Sequence, residues 1–350
     1  MNCPPDKILN PKTNRCISKT SVLGKKLIKE NIVIDKSSSK DLKTSIIKHL
    51  TTIRNYENLN KNKYKGIAYS KVLNQLYNYK DKIKNYDDFI KNIKVGDRIA
   101  LKVKQLIDDG IIKYEEEKIK KDSNFKIQLD FKKIYGIGEA KIKELIDKGI
   151  KSIADLEKNK HLLNKNQLIG LKYYKELNER IPLDEYIKHK EILEKDLKKF
   201  KYEFVGSFRR GNDSMGDIDI LIMKNDNFNL NDYISKLKKL GYIKEILAIG
   251  NIKFGGIVKI NNNPARKLDI LICPEDEYYY SLLHFTGSAE FNVGLRDYLK
   301  NKYGLSLSEH GFKDKIIKIP EMKSEKEIFD FFNLNFIEPS KRKIFYNPQK

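Results

Sequence analysis

Only three of the 350 residues are cysteine, at positions 3, 16 and 273, and they form neither a C-x-x-C pair nor a Cys/His set with zinc spacing. That argues against a structural zinc and against a disulfide framework, and leaves ordinary reduced thiols as the expectation. No apolar run of about 18 residues occurs, so a membrane-spanning helix is not expected. The opening residues MNCPPDKILN lack the basic-then-apolar order of a signal peptide, which points to a soluble intracellular protein. Acidic side chains are in deficit: 48 Asp plus Glu face 70 Lys plus Arg, a formal net charge of +22.

A charge of that size favours a polyanionic partner through counterion release, with nucleic acid first. A Lys-, Asn- and Ile-rich composition of the kind AT-rich codons produce is the alternative source of the excess. With 40% hydrophobic and 34% charged side chains, the chain can bury the cores of two or more folded units.

Residues 1–50 carry 11 basic against 4 acidic side chains and read as an irregular extension, with a linker at Ser37, Ser38, Ser39 and Lys40. The pattern C-P-P-x-K-x-x-N-P-x-T-x-R-C from Cys3 to Cys16 resembles a short two-cysteine adaptor element of large cytoplasmic DNA viruses, and a plain Pro/Asn-rich turn pair is the other reading. From about 52 to 115 apolar residues recur at helical spacing. Two segments there and beyond share one plan, N-I-K-V-G-D-R-I-A at 92–100 and K-I-Y-G-I-G-E-A-K at 133–141: helix, tight glycine turn, basic helix. Such turns present backbone N–H groups to a phosphate, so Gly96, Gly136, Gly138 and Lys141 are candidate DNA-backbone contacts. The first copy is the weaker, with Lys94 where the second has Gly136.

Beyond Pro182 the period changes to strands: YEFVGSF, DIDILIM, IKEILAIG, KFGGIVKI and ARKLDILI, with a helix near 231–240, predict a mixed sheet. In D-I-D-I-L, alternation places Asp217 and Asp219 on one face, and Asp269 in K-L-D-I-L joins them if its strand is a neighbour. Carboxylates crowded in this way repel unless cations lie between them, and Mg2+, a hard ion with oxygen ligands, fits, with Mn2+ as a substitute. Two such ions about 3.5–4 Å apart suit an in-line displacement at phosphorus. Upstream, Gly206-Ser207-Phe208-Arg209-Arg210-Gly211 offers backbone N–H groups, a hydroxyl and two guanidiniums to a triphosphate.

GSFRRG, GDIDILI, HFTGSAEFNVGLR, YGIGEAKIKELIDKGIKSIADLEKN, QLIGLKYYKELNERIP and SEKEIFDFFNLNFIEP together resemble family X of the DNA polymerases, its beta-like branch, over about residues 60–345. The resemblance implies an α+β multidomain chain: a basic extension (1–50), a helical lyase-like domain (51–117), a DNA-binding helical subdomain (118–182), a palm (183–276) and a C-terminal subdomain around the nascent pair (277–350). It implies that Asp217, Asp219 and Asp269 bind two metal ions and that Ser207, Arg210 and Gly216 hold the incoming triphosphate. Phe285, Gly287, Asn292 and Arg296 fall at positions that hold the sugar and reach the minor groove. His284, a further candidate nucleotide contact, stands where the beta branch has a tyrosine next to the sugar, Met215 where it has a serine, and Leu271 where it has an arginine; Ala289 and Val293 replace polar contacts near the base pair.

The same resemblance makes Lys102 the Schiff-base lysine of a 5′-deoxyribose phosphate lyase, with Lys65, Tyr69 and Arg98 as the 5′-phosphate pocket. The nearness of Arg98, one turn away, would ease deprotonation of Lys102. The expected function is template-directed gap filling in base excision repair. A template-independent nucleotidyltransferase and a non-catalytic DNA-binding repair scaffold are the alternatives. Expected partners are gapped or nicked duplex DNA, deoxynucleoside triphosphates, Na+ or K+ at the hairpin turns and a repair ligase. The protein is expected to be a monomer and to work at a viral cytoplasmic replication site or in a nucleus.

Overall fold

A computed structural model describes residues 7–10, 15–18, 21, 42–79, 81–313, 319–342 and 346. The chain divides into two compact units, Met1–Asp122 and Ser123–Lys350.

In the first unit, β1 (Lys7–Asn10) and β2 (Arg15–Ser18) pair antiparallel with Leu9 opposite Cys16. Cys16 is disulfide-bonded, which corrects the expectation of reduced thiols throughout; Cys273 is a free, buried thiol. Spacing rules for zinc and C-x-x-C sites do not report such a bond. Cys3, at the start of the two-cysteine pattern, and the Ser37–Lys40 cluster lie outside the described residues.

Helix α1 (Leu42–Leu59) begins upstream of the helical pattern expected from about 52, because Ile46, Leu50 and Ile53 form one buried stripe at helical spacing. It is followed by α2 (Lys63–Asn78), α3 (Tyr86–Asn92) and α4 (Asp97–Asp109). Asn85 caps α3 by accepting the Asp88 N–H, and α4 ends at Gly110 in the left-handed region, φ 73°. Ile99, Ala100, Val103 and Leu106 turn the buried face of α4 inward and leave Arg98 and Lys102 on another.

The second unit opens with the hairpin of α5 (Ser123–Lys132) and α6 (Glu139–Asp147), followed by α7 (Ile153–Lys158) and α8 (Lys165–Lys172). Helix α8 packs its backbone directly on the hairpin turn, since a β-carbon on Gly170 would stand 2.1 Å from the Tyr135 carbonyl oxygen. Gln167, half of a reciprocal cap with Asn164, donates to the Gly136 carbonyl at 3.0 Å. Gly170→Ala should therefore lower the stability of the protein by about 1–3 kcal/mol through overpacking. Chemical denaturation checks this, and an unchanged midpoint would mean that α8 and the turn have room to part.

After α9 (Tyr174–Leu177), β3 (Ile181–Pro182) and α10 (Leu183–Glu194) comes a five-stranded sheet in the order β4-β6-β9-β8-β7. Its strands are β4 (Tyr202–Phe204), β6 (Ile218–Met223), β7 (Ile243–Ile249), β8 (Lys253–Val258) and β9 (Arg266–Cys273). Only β6 and β9 run parallel, so the sheet is mixed, as expected. The predicted helix near 231–240 is α12 (Leu230–Lys239). YEFVGSF is a strand only to Phe204; Gly206–Arg209 turns into the short helix α11, and β5 (Ser214–Met215) pairs with β3. Ile218, Ile220 and Ile222 with Leu268, Ile270 and Ile272 bury one face of the central pair.

The remaining elements are α13 (Tyr278–Thr286), α14 (Ala289–Tyr303), the paired β10 (Leu307–Ser308) and β11 (Gly311–Phe312), and α15 (Glu325–Asp330). They close over a second core that includes Leu283, Phe291, Leu295, Leu299 and Phe329. Among the described residues no helix is long and apolar enough to cross a membrane.

Candidate active site

The parallel pairing of β6 and β9 sets Asp219 directly beside Asp269, with Ile218 beside Leu268 and Ile220 beside Ile270. Burial of the isoleucines and leucines fixes the register, and a slip of one residue would bury the carboxylates instead. Asp217 lies one residue before β6, and carboxylate oxygens of Asp217, Asp219 and Asp269 all come within 4.8 Å of one another. Burial, then the charges of Asp217 and Asp269, push the Asp219 carboxyl up to about 7. Lys267 donates to Asp269; burial lowers its pKa, but the three aspartates outweigh burial and hold it above the ordinary lysine value. Arg210 also feels the charges of Asp219 and Asp217, and three carboxylate oxygen donors this close suit a hard divalent cation.

Gly206 stands against this cluster at φ 63°, where a β-carbon would lie 2.5 Å from an Asp219 carboxylate oxygen. The turn of Ser207 and Arg210 can thus approach the aspartates only because residue 206 is glycine. The two arginines of the motif part company. Arg210 Nη1 donates to the Thr286 carbonyl at 2.6 Å, beside Gly287. Arg209 instead donates to Thr286 Oγ1 at 2.7 Å and to Glu325 at 2.6 Å. The reason is tertiary: α13 and α15 bring a hydroxyl and a buried carboxylate against one side of the turn.

Sequence reasoning missed Arg180. Its guanidinium donates to Ser214, Nε to Oγ at 3.2 Å and Nη2 to the carbonyl oxygen, and Nη1 stands 3.4 Å from where a β-carbon on Gly216 would lie. Arg180 thereby joins Gly216 at the edge of the aspartate cluster. The local signal was its place just before Ile181, whose pairing with Met215 carries it there.

Phe285 lines a cavity of about 110 Å3 together with Asp219, Asp269, Val205, Leu271 and Lys253. His284, Asn292 and Arg296 meet on the other side of the same helix end: Asn292 donates to the His284 carbonyl at 2.7 Å, and Arg296 contacts His284 Nδ1 at 2.6 Å. Gly287 is at φ 64°, followed by a cis peptide to Ser288, which caps α14.

In the first unit, the Lys102 ammonium lies 3.3 Å from the Arg98 carbonyl and 5.2 Å from the centre of the Tyr114 ring. Its pKa is lowered chiefly by burial, against the pull of Glu57; Lys65 and Arg98 contribute less, so cation crowding is the smaller cause. Buried Glu57 accepts from Tyr114 at 2.6 Å and Asn62 at 2.7 Å, and Lys65 lies 3.5 Å away. Tyr69 is buried, its hydroxyl pushed up to about 12 by burial and then Glu57. Glu57 and Tyr114 were not legible as site residues, being far apart in the chain and in no shared motif.

Gly96 and Gly138 start α4 and α6 with open space where a β-carbon would be, and Gly136 adopts φ 81°. Lys141 is paired with Glu144 at 3.0 Å, so part of its charge is already answered within α6.

Three family models match this chain in order: the fingers domain of DNA polymerase lambda at residues 130–178, the DNA polymerase beta palm at 180–275 and the DNA polymerase beta thumb at 281–343. DNA polymerase lambda of Rattus norvegicus is 26% identical over 323 residues, which covers 85% of this chain and 56% of that protein. DNA polymerase lambda of Arabidopsis thaliana is 23% identical, covering 80% and 58%, and DNA nucleotidylexotransferase of Xenopus laevis 24%, covering 71% and 58%. The chain thus spans a little over half the length of these relatives. Fingers, palm and thumb in collinear order over residues 130–343 support the assignment of this chain to family X of the DNA polymerases.

Proposed function

We propose that this protein is a template-directed DNA polymerase that fills short gaps during base excision repair. The observation that carries the reading is the meeting of Asp217, Asp219 and Asp269 within 4.8 Å, next to the glycine-bounded turn of Ser207 and Arg210. Mg2+ held by the three aspartates would supply charge neutralisation and an acidified primer hydroxyl. The chain's own groups do the rest. Ser207, Arg210, Gly216 and Arg180 bind and orient the triphosphate, and Asp269 faces the primer 3′-hydroxyl. Phe285, Asn292 and Arg296 hold the sugar and the nascent pair, while the glycine turns at 96 and 136–138 hold the DNA backbone.

Similarity to DNA nucleotidylexotransferase keeps a template-independent reading in view. Against it, β7 and β8 are joined through residues 250–252 alone, with the Gly250 N–H bonded to the Lys253 carbonyl, which leaves no loop long enough to occupy a template site. Extension of a one-nucleotide gap should follow the template base and fall to background on a single-stranded primer. Equal extension of both would overturn template direction.

We further propose that Lys102 forms the Schiff base of a deoxyribose phosphate lyase. Burial favours its neutral amine, and Tyr69, Lys65 and Arg98 bind the 5′-phosphate. Borohydride should trap an abasic-site adduct on the wild type, and Lys102→Ala should lose at least about nine-tenths of it, in line with loss of a covalent nucleophile. An undiminished adduct would remove the lyase.

A further inference from the structure

We infer that His284 is a positioning residue for Arg296: its neutral imidazole accepts a hydrogen bond from the guanidinium, and a proton on that nitrogen breaks it, so selection of the paired nucleotide depends on the protonation of His284. The inference rests on the polymerase reading for the role of Arg296 and on geometry for the bond itself.

A guanidinium has donors only, so the 2.6 Å contact between Arg296 Nη2 and His284 Nδ1 requires a lone pair on that nitrogen. Asn292, one turn before Arg296 on α14, donates to the His284 carbonyl at 2.7 Å and so fixes the backbone from which the imidazole projects. The charged groups facing His284 are Arg296 from α14 and, from the turn between β10 and β11, Glu309 and His310. Glu309 lies 3.6 Å from Arg296 and 4.0 Å from His284 Nδ1, so one carboxylate stands near both. His310 lies 3.8 Å from Glu309 and is itself bound to Glu277 at 2.7 Å.

With His284 neutral, Arg296 is held between an acceptor nitrogen and a carboxylate. With His284 protonated, two cations face each other across the same gap and compete for Glu309, so Arg296 is released. Burial and the Arg296 charge lower the His284 pKa, while Glu277 raises that of His310, so His310 is charged first as pH falls. A charged His310 beside Glu309 then offsets part of the carboxylate's pull on His284. A tyrosine at position 284 would not titrate in this range, so histidine adds a proton dependence.

Two measurements test this. The chain has five histidines, which makes their imidazole C2 protons separable by NMR. The His284 titration should move up in Arg296→Ala, where the cation is gone; an unmoved titration would overturn the hydrogen bond. The second is the ratio of kcat/KM for paired over mispaired dNTP in a one-nucleotide gap, compared between about pH 8 and about pH 4.5, the lower point set beneath the ordinary histidine range because burial and the Arg296 charge lower the His284 pKa. In the wild type the ratio should fall by about tenfold or more, the size expected for loss of a charged hydrogen bond. His284→Gln, whose amide oxygen accepts but does not titrate, should keep a high ratio at both pH values, and His284→Phe a low one at both. A wild-type ratio that tracks His284→Gln across pH would overturn the inference. Loss of incorporation by all forms at both pH values would overturn the polymerase reading instead, and the imidazole titration, which needs no substrate, would still decide the hydrogen bond.

Discussion

Asp219→Ala will abolish gap filling while DNA binding persists. Asp219 is the middle member of the cluster: it pairs in register with Asp269 and lies two residues from Asp217. Removing it leaves two carboxylates without the central oxygen donor, and the expected loss in kcat is at least about 10^3-fold. Primer extension measures the loss, and residual activity within tenfold of the wild type would sink the two-metal mechanism.

The same residue should cost stability when no metal is bound. Its carboxyl is held at about 7 in the fold, against about 3.9 in an unfolded chain. A raised folded pKa means that the native state keeps the proton longer. Stability from this group is therefore full below about pH 4 and is lost as pH rises through about 7. At pH 8 without metal, Asp219→Asn should be more stable than the wild type by on the order of 2 kcal/mol. Mg2+ should raise the Tm of the wild type and hardly that of the variant. A destabilised Asp219→Asn at pH 8 would show that the cluster is relaxed without a cation.

Glu325→Ala should produce the largest loss of stability of any single change considered. Glu325, 5% exposed, accepts from Arg342 at 2.5 Å and from Arg209 at 2.6 Å. The Arg342 side chain is fully buried, its guanidinium 5.4–5.9 Å from the ring centres of Phe291, Phe329 and Phe336. Removing the carboxylate strands that charge among aromatic rings, with its Nε bond to the Ile337 carbonyl as the main remaining contact. The expected cost is about 3–5 kcal/mol. Glu325→Gln keeps an acceptor and should lose less.

An effect on nucleotide use should accompany it. Arg342 accepts the Ser288 N–H at 2.9 Å through its carbonyl, and Arg209 reaches Thr286, so Glu325 supports both sides of Gly287. KM for dNTP should rise more than kcat falls, because positioning suffers and the aspartates do not. Denaturant titration with steady-state kinetics checks both, and a loss below about 1 kcal/mol would mean that water reaches Arg342.

Much of the fold was legible from local pattern. Alternation in DIDILI and KLDILI marked strands with one polar face, and the structure keeps that alternation from Ile218 to Ile220 and along β9 from Arg266 to Ile272, while Leu221 is buried in a separate apolar cluster with Val205 and Cys273. The glycine turns at 96 and 136–138 and helix α12 were likewise readable, since turn dihedrals and helical periodicity act over a few residues. Arg209 and Arg210 show where this stops: adjacent in one motif, they differ only through Glu325 and Thr286, far along the chain. Lys102 was picked out by resemblance, but the depression of its pKa comes first from burial, which no local spacing reports. The disulfide at Cys16 was not legible either, since its spacing matches no zinc or C-x-x-C rule.

For the three aspartates, the sequence by itself determined that Asp217 and Asp219 share a face and that Asp269 has the same strand context, because side-chain alternation is a property of the extended backbone. The neighbour relation of β6 and β9 was decided by the tertiary structure alone. Helix α12 and strands β7 and β8 intervene in the chain, and burial of Ile218, Ile220, Leu268 and Ile270 in one core sets the register that makes three separate carboxylates one site.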